Sequence, residues 1–210
     1  MELACLVSCG VVTGFGVAIR HAHVEIGSSV VVIGCGGVGL NVIQACFLAG
    51  ATQIIAIDPT DAKRKLATRF GATDVVNPRN EDVQARVLKI TDGLGAQYAF
   101  EVVGMPSTLR QAYDCTAAGG LVVSVGLAAP GQEVSFPATD FGKRKTVTWA
   151  SAGAASPWRD LPILIDLYRA GRWNLEDLLS TVRPLVEVNA AFDDMKAGLV
   201  ARTVLTFGGN

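Results

Sequence analysis

The chain has 210 residues, half of them hydrophobic, with 23 glycines and a formal net charge of −1. That length supports one sizeable core, or one domain with appended pieces. The near-neutral balance excludes an electrostatic partner such as nucleic acid or an anionic membrane surface, leaving a small molecule as the expected ligand.

Two stretches, residues 3–19 and 26–57, carry no charge. The first has Glu2 where a secretory signal would carry a positive flank. The second holds six glycines together with Ser28, Ser29, Asn41, Gln44, Thr52 and Gln53. A spanning helix is more uniformly apolar, so no transmembrane segment is predicted. The five cysteines, Cys5, Cys9, Cys35, Cys46 and Cys115, are an odd number without a signal sequence. They argue for a reducing, cytoplasmic setting and against a disulfide framework.

Residues 29–34 are a β-branched run of the kind buried on both faces of a parallel sheet. Residues 37–49 follow with helical spacing at Val38, Val42, Cys46 and Ala49, and Gly50 stands where a helix C-cap belongs. Next come a strand at 53–57, a basic helix at 62–70 and a short strand at 74–77. A helix at 81–91, a strand at 98–103, a helix at 107–116 and a strand at 121–125 continue the alternation. Such alternation predicts right-handed βαβ crossovers and an α/β fold with a doubly wound parallel sheet, the Rossmann arrangement. Beyond Pro130 the rhythm changes: a strand at 146–149, helices at 161–170 and 190–197, and a closing strand at 203–207 need not join the same sheet.

The segment Gly34-Cys35-Gly36-Gly37-Val38-Gly39 is a GxGxxG loop in full context, ending one strand and opening a helix. Gly34 permits the tight turn, Gly36 lets a pyrophosphate approach the backbone, and Gly39 lets helix and strand pack closely. The anion then meets free N–H groups at the helix N-terminus. Asp58 ends the second strand about twenty residues further on, where a carboxylate binds ribose hydroxyls and repels a 2′-phosphate. NAD is therefore expected over NADP. A structural glycine turn in another nucleotide or methyl-donor fold is the alternative.

At this point the sequence resembles the zinc-containing medium-chain alcohol dehydrogenases. The matching stretches are Cys5-Leu-Val-Ser-Cys-Gly-Val-Val-Thr-Gly-Phe-Gly16, the loop Gly34 to Gly39, Phe100-Glu-Val-Val-Gly104, Val123-Ser-Val-Gly126 and Arg202-Thr-Val-Leu-Thr-Phe207. The resemblance implies that Cys9 is the last ligand of a catalytic zinc, and that Cys5 is a buried small hydrophobe and not a second ligand. It implies that Thr13 touches the nicotinamide, that Val38 packs behind it, and that Val125 offers a carbonyl to the carboxamide. Lys63 corresponds to an adenosine-ribose contact and Arg202 to a pyrophosphate contact. Val103, Gly126 and Leu127 belong to the same expected cofactor surface. His21 and His23 match no ligand and read as a solvated surface pair.

The family pattern starts upstream of the equivalent of Met1, so the resemblance implies three pieces. Residues 1–10 would be a remnant of a β-rich catalytic domain, 11–153 the dinucleotide-binding domain, and 154–210 a C-terminal segment that completes the catalytic domain. The implied activity is hydride transfer between an alcohol or aldehyde substrate and NAD, with zinc polarising the alcohol oxygen in the complete enzyme. With one zinc ligand of three, this chain alone is expected to bind NAD without turnover. Leu161, Ile163, Leu164, Leu178 and Leu179 are expected to lack cover, and strand 146–149 is a candidate edge for a homodimer or higher homo-oligomer. A non-catalytic dinucleotide-binding or dimerising module, a methyltransferase and a zinc-free quinone reductase relative remain as alternatives. Leu127 and Trp149 supply too little of a pocket to choose the alcohol.

Overall fold

A computed structural model describes residues 2–208. Helix α1 (Cys9–Gly16) enters a six-stranded sheet made of β1 (Ser29–Ile33), β2 (Gln53–Ile57), β3 (Asp74–Val76), β4 (Ala96–Glu101), β5 (Thr116–Ser124) and β6 (Thr146–Trp149). The connecting helices are α2 (Gly37–Ala49), α3 (Asp61–Arg69), α4 (Val83–Ile90) and α5 (Pro106–Cys115). The strands lie in the order β3-β2-β1-β4-β5-β6, and every pairing is parallel. The chain reverses its direction of travel between β1 and β4, and ligands of such sheets bind at the carboxyl ends beside that point.

Burial on both faces explains the sequence. Val30 and Val32 of β1 join the core with α1 and α2, whereas Val31 and Ile33 face the core with α4 and α5. A strand between two such layers has no polar side, hence the unbroken β-branched run. The doubly wound fold expected from the alternation is the one found, with element ends shifted by a few residues. Gly50 does cap α2 in the left-handed conformation.

Beyond the sheet lie α6 (Pro157–Arg169), β7 (Leu179–Pro184), α7 (Val188–Lys196) and β8 (Arg202–Thr206). Strand β6 joins the main sheet, and β7 and β8 form a separate parallel pair. Strand β7 escaped sequence reading because its alternating exposure comes from a short polar run, Ser180-Thr-Val-Arg-Pro184, with little apolar signal.

Two expectations are corrected here. Leu164 and Leu178 are fully buried, and Leu161, Ile163 and Leu179 pack partly buried against the α1–α2 core. Their cover comes from within this chain, where α6 lies along α1. The most exposed apolar side chains of the last third are instead Trp158, Val186, Leu199 and Phe207. Cys5, expected to be buried, is exposed: it sits in a short 3-10 turn separated from α1 by an extended Ser8, with its thiol donating to the Glu2 carbonyl. His21 is half-buried and His23 is exposed.

A buried carboxylate ties α6 to this body. Asp160 has no exposed side-chain surface and accepts from Arg20, from both ends of the Arg159 guanidinium and from the Ser156 N–H. These donors, Arg159 first, outweigh desolvation and hold its carboxyl at about 2, below an ordinary value of 3.8. A depressed carboxylate stabilises the fold above its unfolded pKa, and the contribution is lost as pH falls through about 2. Asp160→Asn should cost about 2–3 kcal/mol near neutral pH, somewhat under the range for a fully enclosed pair because both arginines keep some hydration. Urea melts from pH 7 to pH 2 would show the two proteins converging in acid; a constant gap would mean that the charge is irrelevant.

Candidate functional site

The glycine loop is built by one close approach. Gly34 leaves β1 at φ +98, a left-handed conformation unfavourable to other residues, and its N–H donates to the Ile57 carbonyl at 2.8 Å. A Cβ on Gly39 would overlap the Gly34 carbonyl oxygen, so α2 can start this close to β1 only with glycine there. At Gly36 the situation is reversed: a Cβ would meet nothing within 4 Å and would project into open space. That opening is a cleft of about 530 Å3, lined by Gly34, Gly36, Asp58, Lys63 and Val103. It lies at the carboxyl ends of β1, β2 and β4, beside the switch in strand order.

Asp58 has a structural task besides the expected one. It is buried, its Oδ2 accepts from the Cys35 N–H at 3.0 Å and its Oδ1 from the Thr60 N–H at 2.8 Å. Arg64 donates to the Asp58 carbonyl at 2.6 Å. The carboxylate therefore pins the glycine loop to the end of β2, while Lys63 lies half-buried along the same wall.

The opposite wall rests on a residue that sequence reading quoted only within a motif. Glu101 is buried, and its Oε1 accepts from the Val103 and Gly104 N–H groups and the Thr108 hydroxyl at 2.7–2.8 Å. It shapes the β4–α5 turn that presents Val103, Met105 and Thr108 to the cleft. A charged residue ending an apolar strand was the available signal. Pro59, Thr60 and Gln111 also line the cleft and went unnoticed.

A second cavity, of about 560 Å3, brings together Cys9, Val38 and Arg202, from α1, α2 and β8. Cys9 is exposed at the first position of α1. The Arg202 guanidinium crosses the backbone of Gly37 and Gly10, 2.6 Å from where a Gly37 Cβ would stand. The start of α2 thus separates this cavity from the cleft, with Arg202 laid over it. Thr13 is one turn past Cys9 and buried, while Gly126 sits against Gly104 at the end of β5. Val125 packs against the core and Leu127 is exposed, so these two flank the cleft without lining it.

Cofactor and metal fare differently. The open space at Gly36, the bare α2 N-terminus and the buried Asp58 fit a dinucleotide. Among the described residues, no group of three or more His, Cys, Asp or Glu side chains could hold a metal ion. Catalytic zinc requires three protein ligands, and the described residues do not gather such a set around Cys9, so by themselves they do not fit the metal. Cys35 and Cys46 are buried with thiol pKa values pushed well up by desolvation, and Cys115 is pushed up to about 12 for the same reason. No helix among the described residues is long and apolar enough to cross a membrane.

The strand order and the glycine loop place the chain among the doubly wound, Rossmann-type α/β proteins. A family model described as zinc-binding dehydrogenase matches residues 37–169. Over 211 residues the chain is 36% identical to an S-(hydroxymethyl)glutathione dehydrogenase of Saccharomyces cerevisiae, covering 98% of this chain and 54% of that protein. It is 36% identical to an alcohol dehydrogenase class-3 of Cereibacter sphaeroides, covering 97% of this chain and 56% of that one. The structure of a benzyl alcohol dehydrogenase from Acinetobacter calcoaceticus superposes with a TM-score of 0.95 at 32% identity, covering 99% of this chain and 57% of that one. The chain belongs to the zinc-type medium-chain alcohol dehydrogenase family, and it spans little more than half the length of these relatives.

Two measurements test the site's construction. Gly39→Ala should cost about 2–3 kcal/mol in a denaturant melt through overpacking against Gly34, whereas Gly36→Val should stay within about 1 kcal/mol. Iodoacetamide followed by mass spectrometry should label Cys5 and Cys9 in the native protein and spare Cys35, Cys46 and Cys115; labelling of Cys35 would contradict the packed loop.

Proposed function

We propose that this chain binds NAD in the cleft under Gly34 and Gly36 and forms the coenzyme-binding part of a zinc-dependent alcohol dehydrogenase. The observation that carries this reading is a continuous path. The Asp58–Lys63 wall leads over the Gly36–Gly37 backbone to Arg202, and then to the cavity holding Val38 and Cys9. A ribose, an anionic bridge and a flat ring, in that order, fit a path of carboxylate, open backbone with guanidinium, and apolar side chain.

Each residue's part follows from its chemistry. Asp58 keeps unused lone pairs for ribose hydroxyls, and its charge repels a 2′-phosphate. Lys63 lies beside the same ribose. Backbone N–H groups at the start of α2 and the Arg202 guanidinium receive the pyrophosphate. Val38 backs the nicotinamide, Thr13 and the Val125 carbonyl orient it, and Val103, Gly126 and Leu127 border it. When bound, NAD supplies a ring that accepts hydride from the carbinol carbon of an alcohol. Cys9 contributes one thiolate towards a metal site whose remaining ligands this chain does not hold, so the chain alone is a binder without turnover.

The parts are read as residues 1–10, 11–153 and 154–210, with the last folded back on the first two. Strand β6 is one of the two outer edges of the sheet, with Val147 and Trp149 exposed, and supports pairing of two copies. A second reading, a non-catalytic dinucleotide-binding module, is favoured by the lone Cys9 and differs in having no functional partner domain.

Calorimetric titration of the chain should give NAD binding at least tenfold tighter than NADP, lost in Gly36→Val. An alcohol oxidation assay with added zinc should show no turnover. Equal binding of both cofactors would remove the role given to Asp58, and zinc-dependent turnover would overturn the incomplete-site reading.

A further inference from the structure

A wide opening lies away from the cofactor cleft. It is a groove of about 1150 Å3 where the C-terminal ends of α2, α3 and α6 converge. Its lining combines rings, Phe47, Tyr168 and Trp173, with the guanidinium groups of Arg69, Arg169 and Arg172. We propose that this groove binds a small aromatic anion, a flat ring system carrying a carboxylate, sulfonate or phosphate.

Three observations carry the assignment. Phe47 is 64% exposed, yet it is held in place: its ring lies across Gly71, where a Cβ would come within 2.8 Å of the ring. A fixed, uncovered ring is a stacking surface for another ring. Secondly, Arg169 and Arg172 stand on either side of the turn at Gly171, and neither side chain makes a hydrogen bond or an ion pair with any described residue. Arg69, by contrast, is already neutralised by Asp177, and Glu176 is hydrogen-bonded to Tyr168 at 2.8 Å. With Glu176 still carrying its carboxylate charge, the groove keeps two unpaired guanidinium groups and one net positive charge beside its aromatic wall.

Thirdly, Trp173 lines the groove at 3% exposure, and its indole N–H is buried with no acceptor. Buried donors are nearly always satisfied. The N–H has almost no exposed surface, so an anion beside Arg172 reaches it only as the groove wall opens slightly, and then supplies the acceptor this one lacks. The floor is rigid: Gln44 accepts from the Asn174 N–H at 2.9 Å and donates to the Asn41 side chain at 2.8 Å.

The competing explanation is that the arginines only complement helix dipoles, since cations are favoured at helix C-termini. That account covers Arg69 and Arg169, each in the last turn of its helix. It does not cover Arg172, which lies beyond α6, nor the orphan indole.

The test uses the full chain with 15N-labelled tryptophan and 2-naphthoate as probe, with 2-naphthamide as its uncharged counterpart. Trp173→Phe identifies the indole N–H resonance of Trp173 among three tryptophans. Titration with 2-naphthoate should shift that resonance saturably, and 2-naphthamide should bind at least tenfold more weakly. Arg172→Glu, at an exposed position, should keep the fold by circular dichroism and abolish the shift. Phe47→Ala should weaken binding about tenfold. An unmoved Trp173 resonance, equal binding of the amide, or full binding by Arg172→Glu would each overturn the proposal. Adding saturating NAD should leave the naphthoate shift in place; competition would assign the probe to the cofactor cleft and overturn it as well.

Discussion

The structure depends on how closely α2 can begin against the end of β1. The contact is backbone on backbone, the Gly34 carbonyl against the α-carbon of Gly39, and no side chain fits between them. From it follow the position of the α2 N-terminus, the opening at Gly36 and the surface across which Arg202 lies. Asp58 reinforces it from the next strand by holding the Cys35 N–H. A helix N-terminus displaced from this position would point its free N–H groups elsewhere, and they would no longer face the opening at Gly36, where the proposed pyrophosphate would sit.

The same helix organises the interior on its other side. Asn41 donates to the Gly37 carbonyl at 2.6 Å and accepts from Gln44, which holds the backbone after α6. Both are among the polar residues that argue against a membrane helix, and both are buried with their side chains hydrogen-bonded. Because Gly14 of α1 packs against Asn41, the first helix, the phosphate-loop helix and the C-terminal region share one set of contacts. This is why α6 has its apolar face covered here, and why its leucines are not the exposed surface that reading by homology anticipated.

What was legible in the sequence follows the physics that each element obeys. Residues 29–57 state strand, turn, helix and strand through β-branching, glycine placement and helical spacing, all local signals. The paired strands β7 and β8 and the covering of α6 depend on contacts between distant segments, and composition does not encode partners. Asp58 was legible as a carboxylate ending β2, the position from which its expected ribose contact was argued. Its grip on Cys35 was not, because that needs the loop's three-dimensional path. Glu101 carries the same lesson: a lone carboxylate at a strand end reads as ligand or surface, and only geometry shows three donors converging on it.

Cys9, Val38 and Arg202 are separated by most of the chain, yet they line one cavity. Each is delivered by a different constraint: Cys9 by the extended Ser8 that starts α1, Val38 by the close approach at Gly39, Arg202 by the pairing of β8 with β7. Such convergence is hard to obtain from packing needs alone, since an exposed thiol and a guanidinium laid on glycine backbone add no apolar burial. Both residues leave polar groups facing open space beside the glycine loop. That openness is what the proposed cofactor-binding reading needs of them, since polar groups committed to the fold could not receive a ligand.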